Sequence, residues 1–564
     1  MGRGKLAVNR DRAWVYVLLL FPFVVACWHA TSSEQAVITL DPSTTYQTIT
    51  GWEATAQIGD TDFFGTFQNW RDQVLDLAAN DLGINRLRVE IRGGTENPTD
   101  YFARYVAGTI PRAQWVAHRD EIINDNADAN AIDPDGFQWS ALDFKIENIA
   151  LPLRRRLRAR GETLFLNVNY VDFERSSFEH ASDPAEYAEF VLATYQHLQT
   201  KYGIVPDAWE VILEPNNTNG VWRGVNVGQA IVAAAQKLTD HGFTPRFIAT
   251  SNSSIESTAR YFTQMVEDVP DALRYQSELS YHIYGSNTDA FRQMMADLAL
   301  PRGLKTAQLE RIGATYQDLH KDLKIAMASA WQQYTLAYPT QDNGAQYYVV
   351  DANNSSVTLG NRTKFLRQYF KFIRQGAVRI GAATSNNRLD PLAFRNADGK
   401  YVVVVNASAG GSFSIQGLPA GVYGIKYTTA NQFDVDAADV TVSPGQDLRA
   451  SIPQTGVITV YAKTSSGGPP SGQALVNRCD LRRTASGSFR LSVYGSNIKA
   501  GAAVTVGGVT PKKVKFKDEV SPGQGVFTRV NLKGGICDGL PGPIRITNPG
   551  APPSEPFQCA SSCQ

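Results

Sequence analysis

A-W-E-V-I-L-E-P-N-N, residues 208–217, is a β-rich run that stops at a glutamate and turns at once through Pro215. A second run of this kind, K-T-A-Q-L-E (305–310), also closes on a glutamate, Glu310, 96 residues after Glu214. In a barrel of parallel strands, a side chain at the C-terminal tip of a strand points into the site where that fold does its chemistry. Two carboxyl groups facing each other there suit a glycosidase: one protonates the departing sugar oxygen and the other attacks the anomeric carbon. A Glu-Pro dipeptide alone is ordinary strand-to-loop punctuation. The reading therefore depends on what surrounds the pair.

Working outward from it, β-type runs alternate with helical stretches from about residue 48 to 351, the pattern of a parallel α/β fold. The runs are 48–55, 85–91, 163–170, 208–213, 246–251, 278–284, 305–310 and Q-Y-Y-V-V-D at 346–351. Helical segments such as 183–198 and 361–374 lie between or after them. Eight such runs suggest a (β/α)8 barrel, although a doubly wound sheet alternates in the same way. After Gly376 the pattern becomes short alternating strands with Gly, Pro and Asn turns up to residue 464, which reads as a β-sandwich. S-S-G-G-P-P-S-G-Q-A (465–474) reads as a flexible linker, and a second all-β module extends from 475 to 564.

The bulk numbers narrow the function. At 564 residues the chain holds several domains. Lys+Arg and Asp+Glu are both 54, and this zero net charge argues against a nucleic-acid partner. Arg3, Lys5, Arg10 and Arg12 precede an apolar run at 13–27 that is short and interrupted by Pro22, the layout of a signal peptide. Its end, Val24-Val25-Ala26-Cys27, is similar to a bacterial lipobox, in which the cysteine would carry lipid; ordinary cleavage a few residues downstream also fits. The other cysteines are Cys479, Cys537, Cys559 and Cys563, clustered as expected for two disulfides in one exported terminal domain. Cys559 and Cys563 are too close to suit each other, so each is expected to reach back to Cys479 or Cys537. A zinc site competes with this reading, but there is no CxxC pair and the last histidine is His320. Of the six Asn-x-Ser/Thr sequons, one begins at Asn216, where a glycan would block the site; with the lipobox, this favours a bacterial protein.

With these pieces in order, residues 36–464, about three-quarters of the chain, resemble glycoside hydrolase family 30 of clan A. The resemblance rests on G-W-E-A-T after an entering strand, on L-R-V (87–89) with Arg88, and on H-I-Y with His282 and Tyr284. The segment Y-F-K-F-I-R-Q-G-A-V-R-I (369–380) is similar to the family's passage from the last barrel helix into its side sandwich, with Gln375 where proline is usual. The C-terminal module resembles the IPT/TIG immunoglobulin-like type through residues 495–509 and 543–550. Two positions depart from the family. Leu213 stands where the family has the asparagine that holds the sugar 2-hydroxyl, and on the expected eighth strand Tyr347 and Tyr348 stand in for a tryptophan that floors the subsite.

The resemblance implies a (β/α)8 TIM barrel over 51–375 and a side β-sandwich built from 36–50 and 376–464. A linker at 465–474 would then lead to an immunoglobulin-like module. It implies a retaining hydrolase of β-linked oligo- or polysaccharides, exported to the cell envelope or beyond, with Glu214 as acid/base and Glu310 as nucleophile and with no metal or organic cofactor. Arg88 and Tyr284 would attend the nucleophile. Asn216, Asn217, His282, Trp52 and Trp222 would contact sugar, with Trp139 a further candidate platform. Glu210, one barrel layer below Glu214, is expected in a structural ion pair. The rival reading is a surface glycan-binding protein on a degenerate barrel, for which Leu213 is the best argument.

Overall fold

The computed structural model describes residues 36–58, 64–174, 176–338, 341–463 and, with short gaps, 474–559. The leader with its Cys27, most of the linker and Cys563 lie outside the described residues. The chain enters through the strand Ala36–Thr48, which pairs antiparallel with Val378–Thr384 and parallel with Gly411–Gln416. It then swings into the barrel at Gly51, whose φ of 142° and closeness to Asn85 leave no room for a Cβ.

Eight parallel strands close the barrel: β1 (Gly51–Thr55), β2 (Arg86–Arg92), β3 (Phe165–Val171), β4 (Ala208–Glu210), β5 (Phe247–Ser254), β6 (Gln276–Gly285), β7 (Lys305–Glu310) and β8 (Ala328–Tyr338). Closure is made where β8 pairs with both β7 and β1, setting Trp52 beside Trp331. Strands buried on both faces need apolar or internally paired residues throughout, as β2 shows with all but its last residue buried. The crossover helices carry their own signals. Pro184–Tyr202 starts with Asp183 accepting from the Ala185 and Glu186 amides, has Pro184 at its first position, and ends on left-handed Gly203.

The eighth strand corrects the sequence reading. Residues 346–351 do form a strand, β9 (Gln346–Val350), but it pairs onto the outer edge of β8 and is extended by β10 (Val357–Leu359). The true β8, A-S-A-W-Q-Q-Y-T-L-A-Y, lacks β-branched residues apart from Thr335, and its centre is polar. Gln332 donates inward to Thr55 Oγ1, and Gln333 donates to the Gln346 carbonyl. Such a strand is specified by its partners rather than by β-propensity.

The deepest barrel layer is a closed charge network. Arg86 Nε donates to Glu53 at 2.7 Å, and its two Nη atoms donate to Glu278 at 2.8 and 2.9 Å. The side domain folds one nine-stranded sheet over its own core of Ile38, Val403, Phe413, Ile415 and Ile458. Phe394, Val402, Val404 and Val457 join the barrel core instead, so the sandwich is packed directly on the barrel. The C-terminal residues form a four-stranded and a three-stranded sheet, bridged by the disulfide Cys479–Cys559. Cys537 is also disulfide-bonded.

Candidate active site

β4 is only three residues long, and the path of the chain beyond it is decided by neighbours. Val211 N donates to the Ile248 carbonyl, Leu213 N to Tyr170, and Glu214 N to Ser251, so strands on both sides hold the chain to its end. Glu214 then takes a left-handed conformation (φ 46°, ψ 61°), unusual for a side-chain-bearing residue. Pro215 opens a 3₁₀ turn, Pro215–Asn217, that brings Asn217 back onto the carboxylate. Asn217 Nδ2 donates to Glu214 Oε2 at 2.5 Å, and His282 Nδ1 lies 2.8 Å from Oε1. Burial disfavours ionisation of Glu214, yet the hydrogen bonds from His282 and Asn217 and the charge of Arg88 outweigh it. The carboxyl is held below the ordinary glutamate range.

Glu310 ends β7 beside His282 of β6 in register. Arg88 Nη2 donates to its Oε2 at 2.5 Å and Tyr284 to its Oε1 at 3.0 Å. The Tyr284 hydroxyl in turn accepts from Ile312 N, which sets its direction. Burial opposes the charge on Arg88, but Glu310, Glu210 and Glu90 more than compensate and raise its affinity for the proton. Both the tyrosine and the arginine thus aim fixed positive ends at one carboxylate. A Glu214 oxygen, a His282 nitrogen and a Glu310 oxygen all lie within 4.8 Å of one another. Such a trio can ligate a cation, but Arg88 already sets a fixed positive charge against one of its carboxylates.

The other expected residues divide. Asn216 is tied to β5: its Nδ2 donates to Ser253 Oγ and its Oδ1 accepts from Ser253 N, so it braces the loop. Trp52 is fully buried, stacked on Phe370 at 4.4 Å with Nε1 donating to the Ile373 carbonyl. Trp222 is fully buried among Tyr170 and Tyr187. Neither offers a ring face to sugar, and both fill space on the outer side of the strands. Trp139 stacks on His197 instead. Tyr347 and Tyr348 are core residues behind β8. Glu210 makes no ion pair among the described residues; it accepts from Asn167 Nδ2 at 2.8 Å, and burial raises its pKa.

Two mouth residues escape the sequence reading. Tyr334 of β8 sits with Arg88 6.0 Å from its ring centroid and donates to Gln57 Oε1 at 2.6 Å. Its strand has no local signature, so its position could not be inferred. Glu90, two residues beyond Arg88 on the same strand face, lies 3.5 Å from that guanidinium, a period-two relation that is readable in the sequence. Gln57 and Glu90 also border a hollow lined by Arg92, Tyr101, Trp115 and Arg119.

Fold and site together define a (β/α)8 barrel with a packed side sandwich and two converging carboxylates at its mouth. Residues 376–424 match the family model for the glycosyl hydrolase family 30 beta sandwich domain. The whole barrel–sandwich unit is similar to a family 30 endoxylanase from Clostridium papyrosolvens C71, with 18% identity and a TM-score of 0.54 over 76% of this chain and 100% of that one. It is similar to a conserved exported protein from Bacteroides fragilis, with 14% identity, a TM-score of 0.54 and coverage of 76% and 100%. An endo-β1,6-glucanase aligns with 15% identity, a TM-score of 0.52 and coverage of 76% and 94%. No curated protein matches the chain. The chain therefore has the glycoside hydrolase family 30 fold.

Proposed function

We propose that this protein is a retaining hydrolase of β-linked polysaccharides. The observation that carries the reading is the approach of Glu214 and Glu310 to within 4.8 Å between carboxylate oxygens. Retaining enzymes hold their two carboxyl groups about 5–5.5 Å apart, whereas inverting ones leave about 6.5–9.5 Å for a water. Glu310, oriented by Arg88 and Tyr284, attacks the anomeric carbon as Glu214 gives its proton to the leaving oxygen. Glu214, ionised and hydrogen-bonded to His282 and Asn217, then takes a proton from the water that releases the sugar. Tyr334 fills the place expected of an aromatic subsite floor. A xylan or a β1,6-glucan is the first substrate to try, because relatives of this fold carry those names.

Export to the cell envelope, with lipid on Cys27 and an IPT/TIG-like terminal module, belongs to the same proposal. The Cys479–Cys559 disulfide supports an oxidising destination. Mass spectrometry of the mature N-terminus tests the lipid.

One feature favours the non-catalytic alternative. Leu213, buried beside Glu214, brings no hydrogen-bond donor to a sugar 2-hydroxyl. Asn217, already on Glu214, is the nearest amide able to take that role. Hydrolysis of aryl β-glycosides and polysaccharides followed by proton NMR decides the matter. Initial release of the β-anomer supports the proposal. Binding without turnover on every substrate supports the alternative.

A further inference from the structure

Away from the barrel mouth lies a second group of carboxylates, two of them buried and one partly exposed. Helix Pro184–Tyr202 carries Glu186 and Glu189 one turn apart, and both are more than nine-tenths buried. The segment I-N-D-N-A-D-A-N-A-I-D-P-D-G (123–136) lies against them through Asp125. Oxygens of Asp125, Glu186 and Glu189 all lie within 4.8 Å of one another. Among the described residues, neither oxygen of Glu189 has a hydrogen-bond donor, nor does Glu186 Oε2, Asp125 Oδ1 or Asn124 Oδ1. A buried carboxylate without donors is costly to leave charged, so such oxygens imply a counterion or a proton.

We propose that Asp125, Glu186 and Glu189 form a binding site for calcium that pins the 123–136 segment to this helix. The donor set is all oxygen, three carboxylates, which selects a hard cation. Two donors come from a helix and one from an irregular loop, a mixture of stiffness that suits the flexible coordination of calcium better than the strict octahedron of magnesium. The loop holds Asp125 in a fixed pose. Its Oδ2 accepts from Asp133 N at 2.6 Å, leaving Oδ1 to face the helix. Gly136 packs where a Cβ would strike the Asp125 side chain.

Surrounding charges reinforce the preference. Asp183 and Glu96 add negative potential at Glu186. Lys237, on helix Gly224–Asp240, faces the group but spends its ammonium on the Ala129 carbonyl and the Asn130 side chain. Burial, then the contact with Glu186 and the charge of Asp125, pushes Glu189 up to about 8.

The test is calorimetric titration of the full chain with CaCl2, alongside thermal unfolding in about 1–5 mM CaCl2 or in EDTA, the range in which extracellular calcium modules load. The expected result is one bound ion and a Tm several degrees higher with calcium. Asp125→Asn, on the partly exposed loop, and Glu189→Gln should each weaken binding at least tenfold while keeping the native circular dichroism spectrum. The wild-type titration stands even where a variant does not fold. Absence of binding heat together with an unchanged Tm would overturn the proposal in favour of a shared proton. So would calcium binding that survives both variants intact.

Discussion

Arg86 and Arg88 are two residues apart on one strand, face the same barrel interior, and are both fully buried against glutamates. Around Arg86 the network is closed. Glu53, Glu278 and Thr50 accept from its guanidinium, and Asn167 Nδ2 gives Glu53 a second donor. Around Arg88 it is open. Among the described residues its Nε has no acceptor, and both Glu90 oxygens lack donors. Its partner Glu310 retains slight exposure at the mouth. The same residue types thus serve two ends. Where each guanidinium nitrogen has an acceptor the arrangement holds strands together, and on the proposed reading the incomplete matching around Arg88 leaves capacity for a substrate. Buried polar groups are ordinarily satisfied, so the incompleteness around Arg88 and Glu90 agrees with the proposed placing of the working end.

The comparison breaks most sharply at Glu310. Glu310→Gln should remove turnover by about 10⁴-fold or more, and Glu214→Gln by about 10²–10⁴-fold on substrates with poor leaving groups. Neither change should lower the Tm appreciably, as assayed by aryl glycoside kinetics beside calorimetry. At the closed end the pattern reverses. Arg86→Met leaves Glu53 and Glu278 buried without their cation and should cost about 3–5 kcal/mol of stability, read in denaturant melts. Turnover per folded molecule should be preserved. Equal losses of activity in Arg86→Met and Arg88→Gln would erase the distinction between the two ends.

Smaller effects sharpen it. Arg88→Gln removes a hydrogen bond to a charged group, worth about 1.5–3 kcal/mol, and should lower kcat roughly ten- to a hundredfold with less change in KM. Leu213→Asn should raise kcat/KM on unsubstituted aryl β-glycosides by up to a similar factor, while Glu310→Gln stays inactive in either background. No gain from Leu213→Asn would assign the 2-hydroxyl contact to Asn217. The smallest effect is in pH dependence. Glu214 must be protonated to act as the acid, so kcat/KM should fall as pH rises through its depressed pKa, below the ordinary value of 4.5. His282→Gln weakens a hydrogen bond that favours the carboxylate, and should move that alkaline limb upward by at most about one pH unit. A limb that moves downward would show that His282 stabilises the protonated form instead.

The amino-acid sequence carries the alternation of strands and helices, the change to a sandwich after Gly376, and the placement of Glu214 and Glu310 at strand ends, because each depends on a local period or a turn signal. Arg88, His282 and Tyr284 are also legible, through family resemblance and strand position. The fate of the tryptophans is not. Trp52 lies on a strand buried on both faces, where period-two reading does not say which side is the mouth, and only packing on Phe370 turns it outward.

The eighth strand and its Tyr334 are likewise decided by tertiary structure. A strand with Gln-Gln-Tyr at its centre gains its conformation from pairing with β7 and with β1, the latter far away in sequence, while the β-prone 346–350 segment is left at the edge. The distance between the two glutamates belongs to the same class of facts. The residue types and their strand ends are written locally. Their convergence to within 4.8 Å depends on closing the barrel, a pairing between strands that no local pattern encodes.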